Sequence, residues 1–198
     1  MGNISFKLLK PQQLNLEKSS CLKNSLLEVL KECSDEFLPP LSQRSGTRQT
    51  DFAQDNQDGI DDYFNNLLDQ HNLIVVENGQ TISFMSFIHN YKNEIFNKFD
   101  DGINNYVSTI CTSVKHRGKG LVKALYDKIE SELPRGLMGK FVSTRTWSTN
   151  DSHIAILNKR GYMLIHRVEN DRTMPDGTKV DTVYFAKRRQ HDNQCPTY

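Results

Sequence analysis

The segment best suited to chemistry is KHRGKG, residues 115–120. It lies between a predicted strand that ends near Thr112 and a predicted helix that begins near Leu121. The first N–H groups of a helix have no partner within the helix and lie at its positive end, so they attract anions. The two glycines allow close approach of a ligand to the backbone, and the three cations add charge. The segment therefore predicts an anion site, most naturally for phosphates. The alternative is a loop with a solvated basic run.

Two nucleotide-binding motifs fail at this segment. A P-loop requires GxxxxGK[ST], but Ser113 stands at its first glycine and Gly120 at its Ser/Thr position. The dinucleotide fingerprint GxGxxG would place its third glycine at Lys123, where close helix–strand packing needs a small residue. Neither motif accounts for the basic glycine segment.

Composition limits the class of protein. The 198 residues, 36% hydrophobic and 25% charged, are enough for one large domain with a sizeable core. A net charge of +1 excludes a general attraction to nucleic acid or anionic lipid. The four cysteines form no CxxC pair, which argues against a zinc site and a disulfide framework and for reduced thiols. We therefore expect a soluble cytoplasmic protein with no metal, no nucleic acid and no membrane partner, since the amino terminus resembles neither a signal peptide nor a span.

Hydrophobic spacing predicts the elements that must position this segment. Helices are predicted over about 22–37, 60–70, 121–133 and 152–160, and strands over 4–9, 106–112, 141–147, 163–168 and 180–186. Residues 73–88 predict a hairpin that turns at Asn78-Gly79. The stretches 42–58 and 90–103 read as polar connections. Strands come first as a hairpin and later alternate with helices, which predicts an α/β fold with a mixed, largely antiparallel sheet. We expect a single domain over 1–187 and a flexible tail over 188–198.

Residues 117–122 resemble the acetyl-CoA signature of the GNAT acetyltransferase superfamily, [QR]-x-x-G-x-[GA]. The match covers the first five positions, and Val122 stands at the sixth, where Gly or Ala is usual. A second family motif, N-x-x-A-x-x-L-Y-x-K-x-G-[FY], follows about thirty residues on and is matched by Asn150, Lys159, Gly161 and Tyr162. The segments TWSTN and DTVYF resemble a bacterial branch of the superfamily.

The resemblance implies a fold, a co-substrate and a set of binding residues. In this superfamily two neighbouring strands splay apart, and the pantetheine of acetyl-CoA lies in the gap like an extra strand. The backbone expected to contact pantetheine here belongs to Ile110, Cys111 and Thr112. The N–H groups expected to bind the pyrophosphate belong to Arg117, Gly118, Lys119, Gly120, Leu121 and Val122. Asn150 matches a position that commonly contacts the cofactor arm.

The resemblance leaves catalysis open. The tyrosine thought to protonate the leaving thiolate aligns with Leu157, whereas His153 stands where a small residue is usual. His153 is therefore either a replacement acid or a ligand of a CoA phosphate, although a lone histidine is more often structural. Cys111 is a candidate nucleophile, although a buried cysteine more often serves as a small apolar residue. No general base is assigned; the acidic candidates before the strand are Glu94, Asp100 and Asp101.

The acceptor is expected to be a primary amine of a small molecule or peptide. Pro39, Pro40 and the following loop fall in the region that lines acceptor sites in this superfamily, and Phe37 and Leu38 either shape that pocket or cap the core. An acidic run, Asp51, Asp55, Asp58, Asp61 and Asp62, either attracts a cationic amine or is a solvated loop and helix start. A homodimer is possible, because dimers are frequent in similar proteins. The alternatives to an enzyme are a CoA-binding regulatory or catalytically weak module and an interaction protein without a cofactor.

Overall fold

One mixed sheet of seven strands organises the chain. We describe it from a computed structural model that covers residues 3–16, 20–38, 40–41, 58–174 and 176–189. The strands are β1 (Ile4–Leu9), β2 (His71–Glu77), β3 (Gln80–His89), β4 (Asn104–Thr112), β5 (Phe141–Trp147), β6 (Met163–Thr173) and β7 (Lys179–Arg188), in the spatial order β1-β2-β3-β4-β5-β7-β6. Every neighbouring pair is antiparallel except β4 and β5, which run parallel. The predicted α/β class and largely antiparallel sheet are confirmed.

Helices cover both faces of this sheet. They are α1 (Ser20–Cys33), α2 (Asp58–Leu68), α3 (Glu94–Phe99), α4 (Leu121–Ser131) and α5 (Asp151–Lys159). Leu30 of α1 and Phe64 of α2 share a buried cluster with Phe84 of β3. Leu125 of α4 belongs to a second cluster with Phe87 of the same strand. Phe84 and Phe87 are an odd number of residues apart, so they point to opposite faces of the sheet, with α1 and α2 on one face and α4 and α5 on the other.

The hairpin of β2 and β3 turns where the sequence predicts it. Asn78 has φ 52° and Gly79 has φ 80°, and Glu77 pairs with Gln80. Two consecutive residues with positive φ make the mirror-image turn whose twist matches that of the flanking strands. Asn and Gly are the residues that adopt this conformation at the lowest cost, which is why this turn is readable from the sequence.

Two predictions of secondary structure are wrong. The predicted connection 90–103 contains α3, which begins where the Asn93 side chain accepts a hydrogen bond from Ile95 N at 3.0 Å. Six residues are too few to show a helical period, so the cap was its only clear signal. The strand predicted over 163–168 continues to Thr173 as β6. The sequence does not predict its final residues, because these exposed polar residues of an edge strand show no hydrophobic alternation.

The carboxyl-terminal strand runs one residue past the predicted domain boundary. Arg188 is its last residue, and Arg189 donates its N–H to Lys140 O at 3.1 Å. Residues 190–198, including Cys195, lie outside the described residues, as do residues 42–57 of the predicted polar loop.

A largely buried ion network joins α5 to α4. Arg160, which follows α5, donates from Nε to Glu130 Oε1 and from Nη2 to Asp127 Oδ1, each at 2.8 Å. Lys187 Nζ lies 2.6 Å from the second oxygen of Glu130. The Arg160 and Glu130 side chains are each 13% exposed. Since a buried charge that loses its partner is strongly destabilising, this network fixes the position of α5 against the sheet.

Arg160→Met should lower the free energy of unfolding by about 2 kcal/mol, because two charged hydrogen bonds are lost, although Glu130 keeps Lys187 and Asp127, whose side chain is 40% exposed, keeps Lys123. Arg167→Met is the matched control, since Arg167 pairs with Asp181 but its side chain is 50% exposed. It should cost less than about 1 kcal/mol. Urea unfolding followed by circular dichroism measures both variants, and equal losses would contradict the role given to the network.

Candidate active site

The parallel strands β4 and β5 separate halfway along their length. They are paired from Asn104↔Phe141 to Val107↔Thr144 and no further. The last contact of the pair is strengthened by the Thr144 hydroxyl, which donates to Val107 O at 3.0 Å. Beyond it, residues 108–112 and 145–147 line a cleft of about 520 Å³. The cleft therefore opens through the sheet between two strands that would otherwise be neighbours.

A β-bulge in β4 marks the point of separation. Ser86 of β3 pairs with Thr109 of β4, but the next residue of β3, Phe87, pairs with Val107. Ser108, between these two residues of β4, therefore has no pairing partner in β3. The Ser108 hydroxyl lies 2.5 Å from Gln70 Oε1. A bulge bends and twists its strand. This bend accounts for the departure of β4 from β5.

The free edge of β4 carries the backbone groups that the sequence analysis expected to hold pantetheine. Ser113 donates its N–H to Ile82 O of the β3 side at 3.0 Å. Because backbone direction alternates along a strand, the N–H groups of Thr112 and Ile110 are directed to the opposite edge, toward the cleft. An exposed edge of this kind accepts an extended, peptide-like ligand as an added strand.

The glycine turn forms the start of α4. Gly118 has φ 72° and Gly120 has φ 76°, and both are exposed. Gly120 is the N-cap residue, and no side chain caps the helix. The hydrogen bond from Ala124 N to Gly120 O, at 3.0 Å, is the first of the helix, which leaves the N–H groups of residues 121–123 without helical acceptors. The turn thus presents uncapped N–H groups beside the cleft.

The three cations of the basic segment do not act together as expected. Lys115 and Lys119 are exposed. Arg117 instead directs its guanidinium to Glu36, with Nη1 and Oε1 2.6 Å apart, and its Nε donates to Thr112 O at 3.3 Å. The hydrogen bond with Glu36 is the largest cause of the raised pKa of Arg117. Its charge is therefore compensated within the protein, and only the lysines add uncompensated positive charge at the turn.

Asn150 and His153 lie together at the start of α5 and line the cleft. The Asn150 side chain caps this helix, since its Oδ1 accepts from His153 N at 3.3 Å, and its Nδ2 donates to the Thr146 hydroxyl at 3.1 Å. Asn150 therefore ties α5 to β5 at the mouth of the gap. This placement brings both predicted residues to the same cleft as residues 110–112.

His153 is bonded to a residue that the sequence analysis did not single out. Its Nε2 lies 2.8 Å from the hydroxyl of Tyr126, a fully buried residue of α4. Desolvation lowers the pKa of His153 to about 4. At neutral pH the ring is therefore uncharged, and it has one N–H to donate in a hydrogen bond. Tyr126 has a raised pKa because it is buried, so it orients the ring and does not ionise.

Leu157 lies where the superfamily has its tyrosine, but its side chain faces the core. It is 0% exposed and belongs to the cluster beneath α4, together with Tyr126 and Tyr162. Its neighbour Ile156 lines the cleft instead. Residues 154–157 of α5 therefore present no hydroxyl to the cleft.

Cys111 is buried against α1 and contacts a second cysteine, Cys33. Burial raises the pKa of the Cys111 thiol well above its usual value. The hydrogen bond from Cys111 is the largest cause that lowers the pKa of Cys33, to about 7, and Arg117 Nη2, 3.5 Å from Cys33 Sγ, acts in the same direction. Cys111 is therefore a poor nucleophile, and Cys33, 78 positions away in sequence, is the more acidic thiol at this cleft.

The proposed acidic residues do not reach the cleft. Asp100 is bound to Lys140 and Arg188, at 3.1 and 2.9 Å, and neither Glu94 nor Asp101 lines the cleft. In the acidic run, Asp61 and Asp62 are exposed and also lie outside the lining, whereas Asp51 and Asp55 lie outside the described residues, as does the side chain of Asp58. Among the described lining residues, Glu36 is the only carboxylate.

Sequence analysis missed one end of the cleft, which we call the arginine end: Arg145 and Trp147 of β5 and Arg172 of β6. All three line the cleft. The Arg172 guanidinium carbon lies 5.7 Å from the centre of the Trp147 ring. The only sequence signal was a single arginine inside the strand FVSTRTW, and nothing in the sequence links it to Arg172.

Comparison with known proteins identifies the class. The profile of the family described as Acetyltransferase (GNAT) family matches residues 30–162. Splayed parallel strands beside a glycine turn are what the resemblance led us to expect, and the match covers more than half of the chain. The chain therefore belongs to the GNAT family of acetyltransferases. No curated protein sequence matches it significantly.

Solved structures with the same fold share little sequence with this chain. NAA60 of Arabidopsis thaliana, in complex with a bisubstrate analogue, is 16% identical with a TM-score of 0.62, covering 94% of this chain and 98% of that one. The ribosomal-protein-S18-alanine N-acetyltransferase of Escherichia coli is 13% identical with a TM-score of 0.59, covering 99% and 100%. The protein yncA of Salmonella typhimurium, solved with its cofactor acetyl-CoA, is 15% identical with a TM-score of 0.58, covering 96% of each chain. These similarities show the fold.

Two kinds of feature are absent from the described residues. No helix there combines the length and the apolar character needed to cross a membrane. No group of three or more His, Cys, Asp or Glu side chains in that part of the chain is arranged to hold a metal ion.

The ring of His153 should titrate near pH 4, well below the usual value of 6.5, because desolvation disfavours its charged form. Histidine NMR signals recorded from pH 7 to 5 should show a neutral ring, with His153→Gln used to assign them. A midpoint near 6.5 would show that the ring is solvated.

The lowered pKa of His153 also determines how the stability of the protein changes with pH. Between about pH 6.5 and 4 the unfolded chain binds a proton at His153 that the folded chain does not, so the free energy of unfolding falls as the pH falls. His153→Gln should lose this contribution and show a shallower decline over that window in urea unfolding. An unchanged slope would contradict the assignment.

Proposed function

We propose that this protein transfers the acetyl group of acetyl-CoA directly to a primary amine of a small molecule or peptide. The observation that carries the proposal is the separation of β4 and β5 beside the uncapped start of α4. An extended ligand with a charged diphosphate needs both a free strand edge and a cluster of N–H groups. Membership of the GNAT family supports acetyl-CoA as the compound that meets both needs.

The residues fit acetyl-CoA as follows. The free edge at Ile110 and Thr112 would hold pantetheine by backbone hydrogen bonds, whereas the backbone of Cys111, the third expected residue, faces β3 and its carbonyl accepts from the Ser83 hydroxyl. The N–H groups of residues 117–122 would hold the pyrophosphate, and both glycines there already have the positive φ that L side chains rarely adopt. Asn150 and His153 would contact the cofactor arm from α5. Exposed Lys119 adds charge where the phosphates would lie.

The proposed reaction requires few catalytic side chains. The amine lone pair attacks the thioester carbon, the C–N bond forms, the C–S bond breaks and its electron pair leaves with sulfur, which is then protonated. Positioning the two reactants can supply about 7–11 kcal/mol of barrier reduction. An acid or base typically adds about 10²–10⁴-fold. With Leu157 in the core and no base assigned, positioning and a backbone N–H of residues 110–112 as oxyanion donor would carry catalysis.

We propose that His153 contributes a hydrogen bond to the cofactor. A ring with a pKa near 4 is uncharged at neutral pH, so proton donation by His153 stays a prediction that requires the bound cofactor to raise that pKa. A fall in turnover of His153→Gln at saturating acetyl-CoA would indicate an acid. A higher Kd for acetyl-CoA at unchanged turnover would indicate the binding role.

Two measurements test the function. Calorimetry with acetyl-CoA should show binding, and free thiol should be released from acetyl-CoA across a panel of primary amines and peptides. Binding without turnover on any amine would favour the CoA-binding module, for which Leu157 is the argument. Absence of both binding and thermal stabilisation at millimolar acetyl-CoA would refute the proposal and favour an interaction protein.

Gly120→Val should weaken acetyl-CoA binding by about 100-fold, because a β-branched side chain at φ 76° blocks the approach of the phosphates and strains the turn. Gly177→Val is the matched control, since Gly177 has φ 84° in the turn between β6 and β7 and not at the start of a helix. Both variants should lose similar stability, about 1–2 kcal/mol. Calorimetry should find normal affinity only for Gly177→Val; equal affinities would remove the glycine turn from the cofactor site.

Four finer assignments stay proposals. They are a bacterial branch of the family, a cytoplasmic location, a homodimer and a single domain over residues 1–187. Bacterial and plant proteins both occur among the similar structures, so the fold does not favour a branch.

A further inference from the structure

We infer that the acceptor amine carries an anionic group, a carboxylate or a phosphonate, which Arg145 and Arg172 bind at the arginine end of the cleft. This inference rests on the proposed acetyl transfer and names the chemistry of its acceptor. It starts from two guanidinium groups that line a cleft and lack a close acidic partner within the described chain.

Arg145 is surrounded by phenols. It lies on β5 just beyond the last residue paired with β4, and it is exposed. The groups that act on its guanidinium are the side chains of Tyr91, Tyr106 and Tyr184. Neutral phenols do not compensate the charge of a guanidinium. Glu36, the only carboxylate among the described lining residues, is already paired with Arg117.

Arg172 is also incompletely satisfied. Its Nε is buried without a hydrogen-bond partner in the described structure, and the nearest carboxylate oxygen, on Asp171, is 3.8 Å away. That carboxylate is engaged with the hydroxyl of Thr182. Since guanidinium binds a carboxylate or phosphonate through a planar fork of N–H donors, an anion in the cleft would satisfy groups that the protein itself leaves unpaired.

The two arginines are placed to act on one ligand. Arg145 and Trp147 are two residues apart on β5, so they project from the same face about 7 Å apart. Arg172 stacks on Trp147. Phe141, on this same face of β5, clusters with Phe96 of α3, whereas Val142 of the opposite face belongs to the cluster of α4 and α5. The arginine end therefore opens on the face of the sheet opposite to His153, and an acceptor entering there meets acetyl-CoA through the gap.

The charge of this end also favours the reactive form of the amine. Two guanidinium groups against one ligand anion leave the surroundings positive, and nearby positive charge disfavours an ammonium group. The acceptor amine would thus lose its proton more readily, in a cleft whose one carboxylate among the described residues, Glu36, is paired with Arg117. The same charge would repel polycationic acceptors, which lack an anion to offset it.

A panel of matched amines tests the inference. Thiol release from acetyl-CoA is measured with the common amino acids and with 2-aminoethylphosphonate, each beside its uncharged counterpart, the amino acid amide or ethylamine, and with spermidine. At least one anionic amine should exceed its counterpart by 10-fold or more in kcat/KM, and spermidine should be poor. If the amino acids exceed their amides, the anion is a carboxylate; if 2-aminoethylphosphonate exceeds ethylamine, it is a phosphonate.

Arg145→Gln should raise KM for the best anionic amine by about 10- to 100-fold, because one charged hydrogen-bonding group is lost. The Kd for acetyl-CoA should not change. Arg167→Gln is the matched control, since Arg167 lies on β6 outside the cleft lining. It should leave both constants at their wild-type values.

The two levels of the proposal fail differently. Turnover without any preference for the anionic amines, or an unchanged KM in Arg145→Gln, would overturn the inference and leave acetyl transfer standing. Acetyl-CoA binding without turnover on any member of the panel would overturn the proposed enzyme and the inference with it.

Discussion

The separation of two parallel strands is the constraint on which this molecule depends. Backbone N–H and C=O groups inside a protein require partners, and β4 and β5 stop satisfying one another after Val107 and Thr144. The bulge at Ser108 on one side and the Thr144 hydroxyl on the other define where the pair parts. The N–H groups of Ile110 and Thr112 that follow have no partner strand on this side, which is why we propose the gap as the ligand-binding site.

Charge divides the resulting cleft into two parts. At the glycine turn, Arg117 is compensated by Glu36, so the proposed attraction for phosphates rests on N–H groups and the lysines. At the other end, Arg145 and Arg172 have no equivalent partner in the described structure. Two positive regions on opposite faces of one sheet suit two ligands that meet in the gap, one through its diphosphate and the other through an anion remote from its amine.

Catalysis by positioning requires a rigid frame, and the structure provides one around α5. Arg160 binds this helix to α4, Asn150 ties its first turn to β5, and Leu157 is fully buried beneath it. Because a core leucine, Leu157, stands where the superfamily has a tyrosine, this position supplies no hydroxyl. The frame is therefore well fixed, and among the cleft-lining residues of α5 the titratable side chain is His153, which is hydrogen-bonded to Tyr126.

The sequence by itself determined the hairpin at Asn78-Gly79, the mixed sheet and the glycine turn, because each depends on local periodicity or on residues with special backbone freedom. It also indicated Asn150 and His153 through a motif of fixed spacing within one helix. Only the tertiary structure decided that Arg117 pairs with Glu36, that Cys33 meets Cys111, and that Arg145 and Arg172 share one cleft with Trp147. These contacts join residues far apart in the chain. The strand pairing that brings them together depends on the packing of the whole core, so no local sequence pattern predicts them.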